Sequence, residues 1–167
     1  MPSKSLAALR EMVGESRLTV VDLAVEAGKV EEFARAVKDD NPAHRSEEAA
    51  REQGYRAVPA PLTFVRTADF DRYRPEGFDP PCGFDLGFPD EHRIHGEQEY
   101  EYERPLYVGD VLQGTTTLTD VYQREGDRGG TMTFAEHETV FRDQDDETVL
   151  AARHTSIETE GAIVEEP

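Results

Sequence analysis

The chain reads as an α+β domain, and three observations carry that expectation. Residues 17–26 form an early run rich in Val, Leu and Thr, and short stretches of helical period lie between residues 30 and 73. From residue 94 onward, alternating Thr- and Val-rich runs follow one another, separated by Gly- or Asp-rich turns. Helices gathered ahead of a block of strands, rather than alternating with them, point to an antiparallel sheet with helices segregated from it. A chain of 167 residues suffices for one sizeable core. The expected division is a single domain over residues 1–158 and a short acidic tail over 159–167 without fixed structure.

Leu6, Leu9, Met12 and Val13 recur at helical spacing, which predicts a short amphipathic helix over 5–15 packed on the domain edge. The first strand, 17–26, is stopped by Gly28, and a helix over 30–37 places Phe33 and Val37 on one face. Pro42 lacks a backbone donor and turns Asn41 away from helical geometry, so a loop precedes the next helix, 47–53. Ser46 caps that helix, Glu47 and Glu48 sit at the positive end of its dipole, and Gly54 stops it. Residues 55–59 connect to a helix opening at Ala60 or Pro61 and reaching Tyr73, with Leu62, Val65 and Phe70 offered to the core. Residues 74–92 are dense in Pro, Gly, Asp and Phe and read as an irregular excursion anchored by Phe78, Phe84 and Phe88. Long insertions of this kind are often functional, and a lid over an acyl pocket is one such role. Gln98, Tyr100 and Tyr102 then alternate with Glu97, Glu99, Glu101 and Glu103, the period of a half-exposed strand. A turn at 105–110, a strand over 111–124, a hairpin loop at 126–130, a strand over 131–142, a turn at 143–147 and a last strand over 148–158 complete the pattern.

Net charge is −18, with three lysines (Lys4, Lys29, Lys38) against 36 acidic residues. Such a surface repels nucleic acid and anionic membrane, so neither is expected as a partner. There is no apolar run of membrane-spanning length and no apolar stretch of signal-peptide type at the N-terminus, so a cytoplasmic location is expected. The lone Cys82 rules out an internal disulfide and fits a reducing compartment. The acidity suits either an ordinary solvated acidic protein or the cytosol of a halophile, where salt screens self-repulsion. Scarce lysine and abundant Asp and Glu favour the latter.

The chemistry concentrates in Asp39-Asp40-Asn41-Pro42-Ala43-His44. A carboxylate and an imidazole flank a turn between two short helices, where both can reach one small object such as a water molecule. One His near one Asp would by itself read as a turn whose polar groups satisfy the backbone. The whole Asp-x-Asn-Pro-x-His spacing points to catalysis by Asp39 and His44. Asp40 is out of register and faces solvent, while Asn41 braces the loop through its side-chain amide.

That spacing, preceded by an aromatic and followed by an alanine-rich helix, resembles the hydratase motif of the MaoC-like (R)-specific enoyl-thioester hydratases and dehydratases. Gly54-Tyr55-Arg56-Ala57-Val58-Pro59-Ala60-Pro61-Leu62-Thr63-Phe64 looks like the "GY…APxTF" segment of the MaoC dehydratase N-terminal type, which includes small subunits of mycobacterial fatty-acid dehydratases. Tyr102-Glu103-Arg104-Pro105-Leu106-Tyr107-Val108-Gly109-Asp110 is similar to their "F-x-(K/R)-P-x-x-x-G-D" strand and turn. The resemblance covers most of residues 17–158. It implies the hotdog fold, an antiparallel sheet wrapped round a central helix that begins here near Ala60. It also implies a homodimer, or a heterodimer with another hotdog chain, with sites at the interface.

The implied reaction is reversible hydration of 2-enoyl thioesters to (R)-3-hydroxyacyl thioesters, with one water held between Asp39 and His44. No metal or redox cofactor is expected, since CoA or carrier-protein pantetheine is part of the acyl thioester substrate. Active members of the family bind the thioester oxygen through a glycine N–H in a His-Gly pair at the start of the core helix. Ala60 and Pro61 stand there in this chain, and Pro61 has no N–H to give. The N–H of Leu62 or Thr63 is expected to substitute, so Asn41, Ala60, Leu62 and Thr63 form the implied substrate-binding set. Arg35, Arg45, Arg56 and Arg66 would offset the surrounding acidity for an anionic substrate. Related small subunits with the same Ala-Pro segment often lack the acid–base pair and depend on a catalytic partner. The second expectation is therefore a weakly catalytic or non-catalytic hotdog subunit; a third, thioester hydrolysis, rests on fold analogy alone.

Other clusters carry less. His92-x-x-His95 has no third ligand at zinc-like spacing, and residues 143–147 lack the glycine of a calcium loop and read as a solvated turn. The glycines at 126–130 have neither the lysine nor the following helix of a phosphate cradle. His137 and His154 fall in strands as packed or surface residues, and Cys82 has no histidine partner in sequence and is expected to be inert.

Overall fold

The computed structural model describes residues 2–75, 81–126 and 130–160. The expected anchor Phe78, the tip of the 126–130 loop and most of the acidic tail lie outside the described residues.

Helix α1 (Leu6–Glu11) is capped by Ser5, and strand β1 (Ser16–Ala24), helices α2 (Ala27–Ala36) and α3 (Glu47–Glu52) follow. Strands β2 (Arg93–Tyr102), β3 (Val111–Gly126), β4 (Gly130–Arg142) and β5 (Thr148–Glu158) complete one five-stranded sheet of order β1-β3-β4-β5-β2. Every pairing is antiparallel, as the strand block of the sequence led us to expect. Gly28 does not stop β1; it lies within α2.

Alternation along the strands sends Val20, Leu23, Leu112, Phe141, Leu150 and Ala152 to one face of the sheet, where they pack with Val30 of α2 and with Phe64, Val65 and Ala68. A second cluster joins Leu9 of α1 to Phe84, Leu86, Leu118, Val121 and Ala135. Phe84 is buried and Phe88 packs against the same cluster, so the irregular stretch is anchored on its C-terminal side as expected.

The chief departure is the segment expected as one helix from Ala60 to Tyr73. It forms two 3₁₀ turns, Phe64–Asp69 and Asp71–Tyr73, separated by an extended Phe70. Thr63, Val65 and Thr67 are β-branched and lower helical propensity, and Pro61 withholds a donor at the start. The segment still buries Phe64, Val65, Thr67 and Ala68 on the sheet. Leu62 and Phe70, expected in the core, are instead 69% and 61% exposed.

In the 143–147 turn, residues 144–147 are exposed as expected, but the Asp143 side chain is buried. Arg104 bridges two buried carboxylates, reaching Asp110 Oδ2 at 2.7 Å and Asp143 Oδ2 at 2.7 Å. Asp110 also accepts the Tyr107 N–H at 2.8 Å, and Asp143 Oδ1 accepts the N–H of Asp145 and Glu147. Burial alone would raise the Asp143 pKa, but the Arg104 hydrogen bond and those turn amides outweigh it and hold the carboxyl below its ordinary value. The network pins the 105–110 turn to the β4–β5 turn.

Candidate active site

Asp39 leaves α2 with its N–H bonded to the Ala34 carbonyl, and the chain then reverses through Asn41 into a 3₁₀ turn, Pro42–His44. Asn41 Oδ1 accepts the Ala43 N–H at 3.0 Å and a Gln53 side-chain N–H at 2.8 Å, so it ties the loop to the end of α3. Asp39 Oδ1 accepts the Asn41 N–H at 3.0 Å. Its other oxygen, Oδ2, lies 3.1 Å from His44 Nε2. Local turn chemistry thus aims one carboxylate oxygen at the ring.

The opposite ring nitrogen sets the proton inventory. His44 Nδ1 is 2.8 Å from the Pro59 carbonyl, which can only accept, so Nδ1 carries a hydrogen. A neutral His44 would then present a bare lone pair at Nε2 to a carboxylate oxygen. Close approach of the two therefore requires one proton between them. Asp39 favours its anionic form: the Asn41 N–H is the largest influence and lowers its pKa, desolvation comes next and opposes it, and His44 and Arg45 lower it further. His44 is buried, whereas the Asp39 side chain is 39% exposed, so the pair is reachable from its carboxylate side.

The remaining expected residues fall into three groups. Asp40 faces solvent with Arg45 at 3.8 Å, and Arg45 donates to the Asp39 carbonyl. Arg35 pairs with Glu31, Arg66 with Asp69, and Arg56 stacks over Tyr107, so of the four arginines Arg45 alone contacts the 39–44 loop. Ala60 is buried and its N–H is spent on the Leu106 carbonyl at 2.8 Å. The Leu62 carbonyl accepts the Tyr102 hydroxyl, while among the described residues no hydrogen bond takes the N–H of Leu62 or Thr63. Pro59, which holds His44, bridges Tyr107 and leads directly into this segment.

Between the 3₁₀ segment and the sheet lies a cavity of about 90 Å³ whose apolar walls include Val65, Ala68, Tyr100, Phe141 and Ala152. Asp39 and His44 do not line it. Two contributors were missed in the sequence, Gln53 and the Pro59 carbonyl. A main-chain oxygen has no residue-type signature, and Gln53 read only as the end of α3.

A family model described as "FAS1-like, dehydratase domain region" matches residues 11–152. A UPF0336 protein of Saccharopolyspora erythraea is 37% identical over 105 residues, 62% of this chain and 65% of that one, just under two thirds of its length. A UPF0336 protein of Streptomyces coelicolor is 35% identical over 117 residues, 70% of this chain and 75% of that one. Among solved structures, a HadBC (3R-hydroxyacyl-ACP dehydratase) complex from Mycobacterium tuberculosis superposes with a TM-score of 0.68 at 29% identity, covering 87% of this chain and 96% of that chain. A MaoC-like dehydratase superposes with a TM-score of 0.74 at 26% identity over 93% of this chain and 43% of the other. The ChsH1–ChsH2 complex of Mycobacterium tuberculosis, TM-score 0.73 at 20% identity over 94% and 95%, shares the fold.

Proposed function

The chain belongs to the FAS1-like dehydratase family and has the hotdog fold of the MaoC-like dehydratases, and from that membership we propose that it reversibly hydrates 2-enoyl thioesters to (R)-3-hydroxyacyl thioesters. The observation that carries this reading is the close approach of the two side chains, with His44 Nδ1 2.8 Å from the Pro59 carbonyl and Nε2 3.1 Å from Asp39 Oδ2. A water bound at the pair gives one proton to Asp39 as its oxygen attacks C3, and His44 Nε2–H delivers a proton to C2. One water is consumed and the pair still holds one proton, now on Asp39, which returns to His44 over the short gap. Dehydration is the reverse.

The enolate oxygen that develops needs a donor. The open amides of Leu62 and Thr63 suit that role, while Asn41 and Ala60 hold the loop and segment that present the site. The step needs no metal or redox cofactor, and the thioester carries its own CoA or carrier-protein pantetheine. Among the described residues no helix is long and apolar enough to cross a membrane, and the lone Cys82 suits a reducing cytoplasm.

A second reading is a hotdog subunit that shapes the acyl passage for a catalytic partner. Pro61 at the donor position favours it, as does the separation of the acid–base pair from the apolar cavity. The HadBC and ChsH1–ChsH2 neighbours are complexes of paired chains, which supports a hotdog partner under either reading. The test is an assay of the purified chain alone, in high salt, with crotonyl-CoA and longer enoyl-CoAs. Turnover that collapses in His44→Gln while the fold survives supports the enzyme; turnover only after adding a second hotdog chain supports the subunit.

A further inference from the structure

We propose that the chain binds one zinc-type transition-metal ion at a second site, through Cys82, His137 and His154. His137 on β4 and His154 on β5 are register partners, so the pleat sends both rings to the same face as Phe141 and Ala152. Their ring centroids lie 5.7 Å apart with an interplanar angle of 22°. Cys82, held at a positive φ of 54° in the turn Pro81–Gly83, brings its thiol over this pair, with Sγ 3.4 Å from His154 Nδ1. One ligand atom from each of the three residues lies within 4.8 Å of the others. Tetrahedral zinc, with bonds of about 2.0–2.1 Å to nitrogen and about 2.3 Å to sulfur, sets its ligand atoms about 3.3–3.7 Å apart. The Cys82–His154 separation of 3.4 Å already fits, and uptake of the ion draws the wider separations, up to 4.8 Å, inward.

The independent sign of a missing partner is His137. It is 2% exposed, and neither ring nitrogen has a hydrogen-bond partner among the described residues. A buried polar ring left in that condition is destabilising, and a coordinate bond removes the defect. Burial pushes the Cys82 thiol up to about 11. Binding of a divalent ion would displace that proton, forming one metal–sulfur bond and releasing one proton to solvent.

A sulfur and two imidazoles select Zn(II), Co(II) or Cu(I) over magnesium or calcium. His95 stacks on His154 at 4.6 Å and 20° but is not among the three residues whose ligand atoms converge. Cys82 and His154 also line the 90 Å³ cavity, together with the hydroxyl-bearing Thr19, Thr116 and Thr139. Three protein ligands, two of them on the cavity wall, leave the fourth position to water, the pattern of an open zinc site. A nucleophilic Cys–His pair is the rival use of the same atoms, but it would leave His137 unexplained and start from a thiol and imidazole that both resist charging.

The full chain, stripped with chelator and held in high salt to screen its exposed carboxylates, is titrated with Co(II) alone and then with Zn(II). The expected result is one equivalent bound, with a sulfur-to-cobalt charge-transfer band and the intense visible bands of a four-coordinate ion, both erased by Zn(II). Cys82→Ser abolishes the charge-transfer band, His154→Gln and His137→Gln weaken binding at least about tenfold, and His95→Gln changes neither. Zn(II) also raises the melting midpoint of the unsubstituted chain and not that of Cys82→Ser. Absence of tight uptake, or a charge-transfer band that persists in Cys82→Ser, overturns the site. His137→Gln tests a core position and carries the risk of misfolding. Cys82→Ser is nearly isosteric and lies outside the sheet, in the Pro81–Gly83 turn, so it decides the matter with less risk.

Discussion

Asp39→Asn separates chemistry from architecture at the proposed acid–base pair. The asparagine carbonyl can keep the 3.0 Å bond from the Asn41 N–H. Its amide nitrogen, replacing Oδ2, can donate to the Nε2 lone pair of a neutral His44 across the same 3.1 Å, while Nδ1–H stays on Pro59. Every hydrogen bond of the loop thus survives, and the stability change stays within about 1 kcal/mol. What disappears is the shared proton and the group that takes one from water. General acid–base help is typically worth about 10²–10⁴-fold, which is about 2.7–5.5 kcal/mol of barrier. The assay follows loss of enoyl absorbance on hydration of crotonyl-CoA, by the chain with whatever hotdog partner turnover requires, beside thermal melts of the same samples. Asp39→Ala serves as contrast, because it also removes the acceptor for Asn41 and should lower the melting midpoint. Turnover by Asp39→Asn within tenfold of the parent, with an unchanged melt, would refute the catalytic assignment; a melt as low as that of Asp39→Ala would refute the hydrogen-bond geometry. The pH profile gives a second reading of the same group. Activity that needs anionic Asp39 falls away only as pH drops through its lowered pKa, beneath the ordinary 3.8.

Three further outcomes follow from the charge network. Asp110→Ala removes one of the two carboxylates on Arg104 and leaves the buried Tyr107 N–H without its acceptor, so the urea midpoint should fall by an amount equivalent to about 1–3 kcal/mol; no measurable loss would show that bridge to be dispensable. Asp143 and Asp85 have depressed native pKa values, so the stability they contribute is complete above their unfolded values and drains as pH falls through the native ones. Melting midpoints should therefore decline below the ordinary carboxylate range, more steeply in the parent than in Asp143→Asn, and equal slopes would count against the role given to Asp143. With a net charge of −18, raising salt from about 0.1 M to about 1 M shortens the screening length from about 10 Å to about 3 Å. The midpoint should climb over that range, and a flat or falling curve would mean that self-repulsion does not limit stability.

What could be read in advance was what the chain encodes locally. Ser46 and Asn41 act on backbone groups within a few residues, so their roles as cap and brace are visible as short motifs. The strands are equally legible, because the alternation of Gln98, Tyr100 and Tyr102 with glutamates is the pleat itself. The 60–73 segment was not legible. An α-helix and a 3₁₀ run bury much the same residues, and the choice between them fell to β-branched side chains and packing against the sheet. Asp143 looked solvated because its neighbours are, yet its partner Arg104 stands far away along the chain.

The same division explains the two candidate sites. Asp39 and His44 converge because one turn brings them together, so their spacing announces them. Cys82 and His154 are 72 residues apart and meet only through the β4–β5 register and the path of the Pro81–Gly83 turn. A slip of one residue in that register would turn either histidine to the opposite face and dissolve the cluster. Ligands assembled by register leave no motif, which is why a lone cysteine and two scattered histidines read as inert. Within the sheet, the arrangement can be probed apart from any metal. If His137 and His154 share the inner face as described, a cysteine placed at Glu138 or Arg153 should label readily with a water-soluble thiol reagent, and one at Ala152 should be protected. Labelling at Ala152 as fast as at the outer positions would show the register to be different, and the metal site would fall with it.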